Sequence, residues 1–261
     1  MRNIRLIVAY DGTELVGYQK QSADKGITVQ GALEKALSII CAEPIQIYGA
    51  SRTDAGVHAR FQVCAFQTSG SIPVENIPRA TIAHLPKDIV VTEAIEIPLD
   101  WKPRNNIFGK EYIYSIYNRE IADPIGQRYH WHVKKPLDIE SMRHAGKALE
   151  GTHDFSTLQG ANTTPVDPVK TIYAVGIVEK NGHIDISVVG DGFLYHMVRN
   201  IAGLLVDVGL GRKSVARIPE LLAAKDRKKI GKTAPAQGLV LEEIFFTPDR
   251  LNTVIQRIKG E

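Results

Sequence analysis

The sequence predicts an α+β fold made of two ferredoxin-like split β-α-β halves, each packing helices on an antiparallel sheet. Three observations predict it. The first hundred residues read as β-α-β-β-α-β, the same theme resumes after residue 110, and 261 residues exceed the ~250 at which a single core stops growing. No residue-level repeat accompanies the recurrence. Helices on one side of such sheets leave the other side free, so an open sheet face or the cleft between halves can hold a large ligand. The halves divide as 1–104 and 105–261, because Trp101-Lys102-Pro103-Arg104-Asn105-Asn106 interrupts both periodicities.

Residues 3–10 are rich in β-branched and large apolar side chains and stop at Asp11-Gly12, a strand followed by a turn. Thr28 can cap a helix in which Val29, Ala32, Leu33, Ala36, Leu37 and Ile40 share one face, and Pro44 ends it. Short strands follow at 45–48 and 63–66, on either side of a polar loop from Gly49 to Arg60. Residues 75–84 read as a helix and 89–97 as a strand. In the second half we expect a strand at 111–118, a helix near 138–149 capped by Asp138, and strands at 169–179 and 183–189. A helix at 193–208 and a strand near 240–246 complete the pattern.

Composition narrows the function. Hydrophobic residues at 44% and charged residues at 23% exclude collagen-like, disordered and coiled-coil classes. The longest apolar runs fall far short of the ~20 residues that span a bilayer, and Leu6–Tyr10 is too short for a signal-peptide core. A cytoplasmic protein with no membrane partner is the expectation. Cys41 and Cys64 lie in apolar stretches without metal spacing and read as buried reduced thiols. Net charge is +3, a mild excess that permits a polyanionic partner. It concentrates in Lys225–Lys232, with five cations against one anion, which suits phosphate contacts but equally a solvated helix end.

Three stretches can carry chemistry. The loop Gly49–Ala59 has no periodicity, and its small residues let backbone approach a ligand. In it Asp54 sits between Arg52 and His58, cations that would keep its carboxylate ionised. A surface turn closed by an Asx hydrogen bond and a local Arg–Asp pair explains the same residues. Alternation in Lys110–Tyr117 places Lys110, Tyr112 and Tyr114 on one strand face, where aromatics beside a cation suit a base next to a phosphate, or a half-buried sheet. In Gly192–Gly203, Leu194, Met197, Val198 and Ile201 form a core stripe. Tyr195 and Arg199 stand off that stripe, and an Arg there can fork onto a carboxylate or simply face solvent.

Other signals are weaker. His130-Trp131-His132 lacks a third ligand nearby, so no metal site is expected. Gly209–Ser214 lacks P-loop spacing, and neither G-x-S-x-G nor H-E-x-x-H occurs.

Seven segments taken together resemble the tRNA pseudouridine synthase A family of tRNA-uridine isomerases along the whole chain. They are Tyr10-Asp11-Gly12 with Gly17-Tyr18-Gln19, Thr28-Val29-Gln30-Gly31, Ser51–His58, Lys110-x-Tyr112-x-Tyr114, His153-Asp154-Phe155, Gly192–Arg199 and Thr233–Leu239. The resemblance implies RRM-like halves whose antiparallel sheets form a central RNA-binding cleft. It implies Asp54 as the catalytic aspartate, Arg199 as its partner and Tyr112 against the target uracil. Arg52 would help hold the flipped nucleotide, with Lys110, Leu194 and His58 also binding substrate. The implied reaction isomerises uridine to pseudouridine at positions 38, 39 and 40 of the anticodon stem-loop of tRNA, without cofactor or metal, in a homodimer that holds one tRNA. Asp54 would attack the sugar, attack the base, or remove a sugar proton.

Some positions depart from the family pattern. Tyr18 stands where Trp is usual, Trp101-Lys102-Pro103-Arg104 replaces a Phe-x-Ala-Arg type of segment, Lys110 replaces a frequent Arg, and Asp191 a common Asn. These bear on RNA positioning. A non-catalytic RNA-binding protein or tRNA chaperone on the same fold is the alternative, and a carboxylate kept at Asp54 argues for the enzyme.

Overall fold

A computed structural model describes residues 1–161 and 166–260. The fold is α+β and divides into two compact units, Met1–Ile107 with Val240–Ile244, and Phe108–Leu239 with Phe245–Glu261.

The first unit runs β1 (Arg2–Tyr10), α1 (Val29–Cys41), β2 (Ile47–Gly49), β3 (His58–Thr68), α2 (Ile77–Thr81) and β4 (Ile89–Ile97). Its strands lie in the order β4-β1-β3-β2, every neighbour antiparallel, which is the ferredoxin-like arrangement expected. Ile4, Leu6 and Val8 of β1 are fully buried, each side chain contributing about 1.5–3 kcal/mol. Thr28 caps α1 by accepting the Gly31 N–H at 3.2 Å, and Leu33, Ala36 and Leu37 face the core. The helix stops at Cys41, three residues before Pro44, because Ala42 turns left-handed at φ 56°. β3 is longer than the expected 63–66: the polar loop ends at Val57, and His58–Arg60 already belong to the strand. Its centre, Val63–Phe66, is buried on both faces, and that double burial hid the alternation.

The second unit runs β5 (Gly109–Tyr117), β6 (Trp131–His132), α3 (Ile139–Lys147), β7 (Gly151–Asp154), β8 (Val169–Lys180), β9 (His183–Gly190), α4 (Met197–Gly209), α5 (Ile218–Ala223) and α6 (Pro248–Lys259), while most of β10 (Leu239–Phe245) belongs to the first. β5-β9-β8-β7 form its antiparallel sheet, with β6 parallel on β5. Asp138 caps α3 through the Ser141 N–H at 3.0 Å. α4 begins at Met197 instead of 193, because His196 sits at φ 60° and cannot be helical. The middle of β10 packs with the first unit, where Val240 and Leu241 pair in parallel with His58 and Ala59.

One expectation is corrected here. The sheet face opposite α3 is not free in this unit. Val175 of β8 meets Gly146 of α3, whereas the adjacent Gly176 meets Ile258 of α6 on the other side. Leu251 and Val254 of α6 bury against Val189 and Phe245. The sequence reading omitted α6, although Thr247 caps it and Pro248 opens its first turn.

Candidate active site

Asp54 lies half-buried in the turn that leads into β3. The turn closes on itself, the Val57 N–H donating to the Asp54 carbonyl at 3.2 Å. Backbone bonds tie it to the 12–18 segment: Tyr18 N–H donates to Thr53 O at 3.0 Å and Gly56 N–H to Leu15 O at 3.3 Å. A Cβ on Gly12 would stand 2.1 Å from the Val57 carbonyl oxygen, so only glycine lets the two segments approach so closely.

Buried side chains brace the turn from the sheet. Tyr10 Oη lies 2.7 Å from Thr53 Oγ1. Gln62 donates to Ser51 O at 3.0 Å and to Tyr10 Oη at 3.4 Å, and its Oε1 accepts the Ser51 N–H at 3.3 Å. His58 is 4% exposed, and its Nδ1 accepts the Gly12 N–H at 3.0 Å. Asp11 Oδ1 approaches the same nitrogen at 3.1 Å. One nitrogen cannot accept from Gly12 and donate to Asp11. The amide direction is fixed by the backbone, which makes Nδ1 the acceptor and puts the proton of a neutral ring on Nε2. Arg52 is exposed beside Asp54.

In the second unit Lys110 is half-buried and Tyr112 buried on β5. Tyr112 meets Phe193 edge-on, ring centroids 5.3 Å apart. Leu194 is buried, and Arg199 lies half-buried in the first turn of α4. Arg199 Nε donates to Ala234 O at 2.8 Å, and Tyr114 Oη donates to Pro235 O at 2.9 Å. Burial pushes the Tyr114 hydroxyl up, while the positive Arg199 nearby pulls it back. Glu111, on the opposite face of β5, pairs with Arg257 of α6 at 2.6 Å.

By unit, Arg52, Asp54 and His58 belong to the first, and Lys110, Tyr112, Leu194 and Arg199 to the second. Sequence reasoning missed Tyr10, Thr53 and Gln62 as braces, and the signal available was a glutamine inside the apolar run of β3. It also gave no role to Thr233-Ala234-Pro235.

The departing residues have local structural work. Tyr18 is 3% exposed, and its ring lies where a Cβ on Gly49 would stand. Its hydroxyl is buried next to Cys64, and burial pushes that thiol up to about 12. Arg104 Nε donates to Gly49 O at 3.0 Å. Asp191 Oδ1 accepts the Thr171 N–H at 3.0 Å, linking β8 to the end of β9.

The basic run is divided. Lys225 pairs with Asp154 at 2.6 Å and, by that hydrogen bond, holds its carboxyl down at about 2. Arg227 turns inward, while Lys228, Lys229 and Lys232 are exposed. His130 and His132 gather with His183 around Tyr117. Among the described residues no group of three or more His, Cys, Asp or Glu is arranged to hold a metal, and no helix is long and apolar enough to cross a membrane.

A family model described as tRNA pseudouridine synthase matches residues 6–105 and 145–247. The chain is 45% identical over 246 residues to tRNA pseudouridine synthase A 2 of Clostridium tetani, covering 94% of this chain and 99% of that one. It is 42% identical to tRNA pseudouridine synthase A of Brevibacillus brevis, covering 94% of this chain and 100% of that protein. The corresponding figures for tRNA pseudouridine synthase A 2 of Clostridium perfringens are 43%, 94% and 100%.

Proposed function

This chain belongs to the tRNA pseudouridine synthase family, isomerases that act on tRNA, and from that membership we propose that it converts uridines 38, 39 and 40 of the anticodon stem-loop. Asp54 and Arg199 act as carboxylate and partner, and Tyr112 lies against the uracil. Arg52 steadies the flipped nucleotide, Lys110 meets the adjacent phosphate, Leu194 lines the base pocket, and His58 supports the turn from within. The observation that supports this reading is the bracing of the Asp54 turn, which hydrogen bonds hold from β1, β3 and the 12–18 segment. A simple surface turn has no need of such a frame.

In the reaction the N1–C1′ bond breaks, the captive uracil turns, and C5 bonds to C1′. C5 gives up its proton and N1 ends protonated, so the change is a rearrangement that conserves every atom and calls for no cofactor. Asp54 serves as nucleophile or as base to the sugar. Two copies of the chain hold one tRNA in an RNA-binding cleft, in the cytoplasm, and their summed charge of about +6 has the right sign for RNA.

The test incubates purified protein with unmodified tRNA transcripts in the presence of a chelator and maps pseudouridine by carbodiimide labelling and primer extension. Stops on the 3′ side of the anticodon arm are expected. In Asp54→Ala they vanish while tRNA affinity stays within about tenfold, because phosphate contacts dominate binding. Tight binding without stops on any transcript would favour the RNA-binding alternative.

A further inference from the structure

Asn200, next to Arg199 on α4, is fully buried, and both ends of its side-chain amide are hydrogen-bonded. Its Nδ2 donates to Leu158 O at 2.7 Å. Its Oδ1 accepts from Thr233 Oγ1 at 2.8 Å and from Arg227 Nη2 at 3.0 Å. Arg227 Nη2 also donates to Thr233 Oγ1 at 2.7 Å, and its Nη1 to Gly231 O at 2.8 Å. One guanidinium therefore grips both ends of 231–233 and fastens them to α4. The seat is close: a Cβ on Gly203 would stand 2.3 Å from Lys232 O. At the next residue, Ala234 receives Arg199 Nε on its carbonyl and returns its N–H to Arg199 O at 3.2 Å.

We infer that Arg227, acting through Thr233 and Asn200, is a positioning residue that sets the direction of the Arg199 guanidinium. This rests on the reading of Arg199 as the partner of Asp54. Arg199 spends one donor on Ala234, so the plane of its fork follows the backbone at 234. Three acceptors in different directions need the fixed fork of an arginine, and a lysine in its place is a poor match. Removing it leaves Asn200 Oδ1 and the Gly231 carbonyl short of a donor in a network that is rigid only when satisfied. Arg227 sits in a basic run, where direct contact with an RNA phosphate is the competing role, but both terminal nitrogens of its guanidinium donate to the protein.

The test measures single-turnover pseudouridine formation, tRNA affinity and its salt slope in the full-length protein. Arg227→Lys and Thr233→Val are expected to slow the single-turnover step about 10- to 100-fold, as a misplaced catalytic group does. Affinity and salt slope stay as in the parent. Thr233→Ser, which keeps the hydroxyl, restores the parent rate. In an Arg199→Lys background the further change Arg227→Lys adds less than about twofold, since the two act through one group.

Equal slowing by Arg227→Lys with and without Arg199 would make it a general structural residue and overturn the inference. So would weaker affinity with a salt slope lower by about one, the mark of a lost phosphate contact. If Arg199→Lys is slow while Arg227→Lys and Thr233→Val run at the parent rate, this inference fails alone. If Arg199→Lys itself is as fast as the parent, the reading of Arg199 fails and takes the inference with it. Thr233→Val replaces the hydroxyl by a methyl of similar shape, so the question stays open to measurement even if Arg227→Lys does not fold.

Discussion

The Tyr10 hydroxyl and Thr53 Oγ1 lie 2.7 Å apart, joining the last residue of β1 to the residue before Asp54. Tyr10→Phe removes that bond and the 3.4 Å one from Gln62, and leaves the ring in place. Turnover on tRNA should fall several-fold at unchanged affinity, and thermal stability should fall by about 1–3 kcal/mol, the cost of leaving buried partners unsatisfied. Parallel rate and melting measurements check it, and parent-like turnover would show that the Asp54 turn does not depend on this brace.

Gly12 touches the same turn from the other side. In Gly12→Ala the new methyl would meet the Val57 carbonyl oxygen at 2.1 Å, and backbone must shift to admit it. Overpacking of this kind costs about 1–3 kcal/mol. The shift falls three residues from Asp54, so activity at a temperature where the variant is still folded should drop further than the stability loss explains.

Arg257 holds α6 to the sheet by its 2.6 Å pair with Glu111, whose side chain is 1% exposed while that of Arg257 is 56% exposed. Arg257→Ala leaves a buried carboxylate without that partner and should cost about 2 kcal/mol, below the 3–5 kcal/mol of a wholly buried pair. Denaturant unfolding reads the loss. Changing both residues to leucine should recover most of it.

His130 is 5% exposed, its Nε2 has no hydrogen-bond partner among the described residues, and Tyr117, His132, His183 and Asp123 surround it. Burial lowers its pKa from 6.5, the neighbouring His183 and His132 act in the same direction, and Asp123 opposes them. Below 6.5 the unfolded chain takes up the proton before the folded one does. Stability therefore falls as pH drops from 6.5 through the lower folded value. Melting temperatures between pH 7.5 and 5 should decline less steeply in His130→Gln than in the parent, and equal slopes would rule out His130 as the cause.

What the sequence revealed depended on whether the signal was local. The caps Thr28 and Asp138 and the alternation of Lys110–Tyr117 are properties of a few adjacent residues, and the structure carries them as read. The Arg-Thr-Asp turn stood out because packing does not explain its composition. Its braces did not stand out, since Tyr10 and Gln62 occupy ordinary strand positions and meet the turn only after β1 and β3 have paired. The start of α4 was missed because a left-handed histidine leaves no mark in composition. Arg227 was counted with its lysines because charge runs are read as surface, and only the fold shows which cation turns inward.

The pairing of Val240 and Leu241 with His58 and Ala59 also orders events in time. A ribosome that has made the first hundred residues has not yet made the strand segment that flanks the start of β3. At ~5–20 residues per second that edge stays unpaired for on the order of ten seconds while the second unit is synthesised. The strand that carries the Asp54 turn into the sheet then gains its last neighbour only after residue 244 has emerged. Hydrogen exchange on stalled nascent chains should find that, of the adjacent amides at 58 and 59, the one turned away from β1 gains protection only beyond that length, so that nascent chains stay inactive until the later segment has docked.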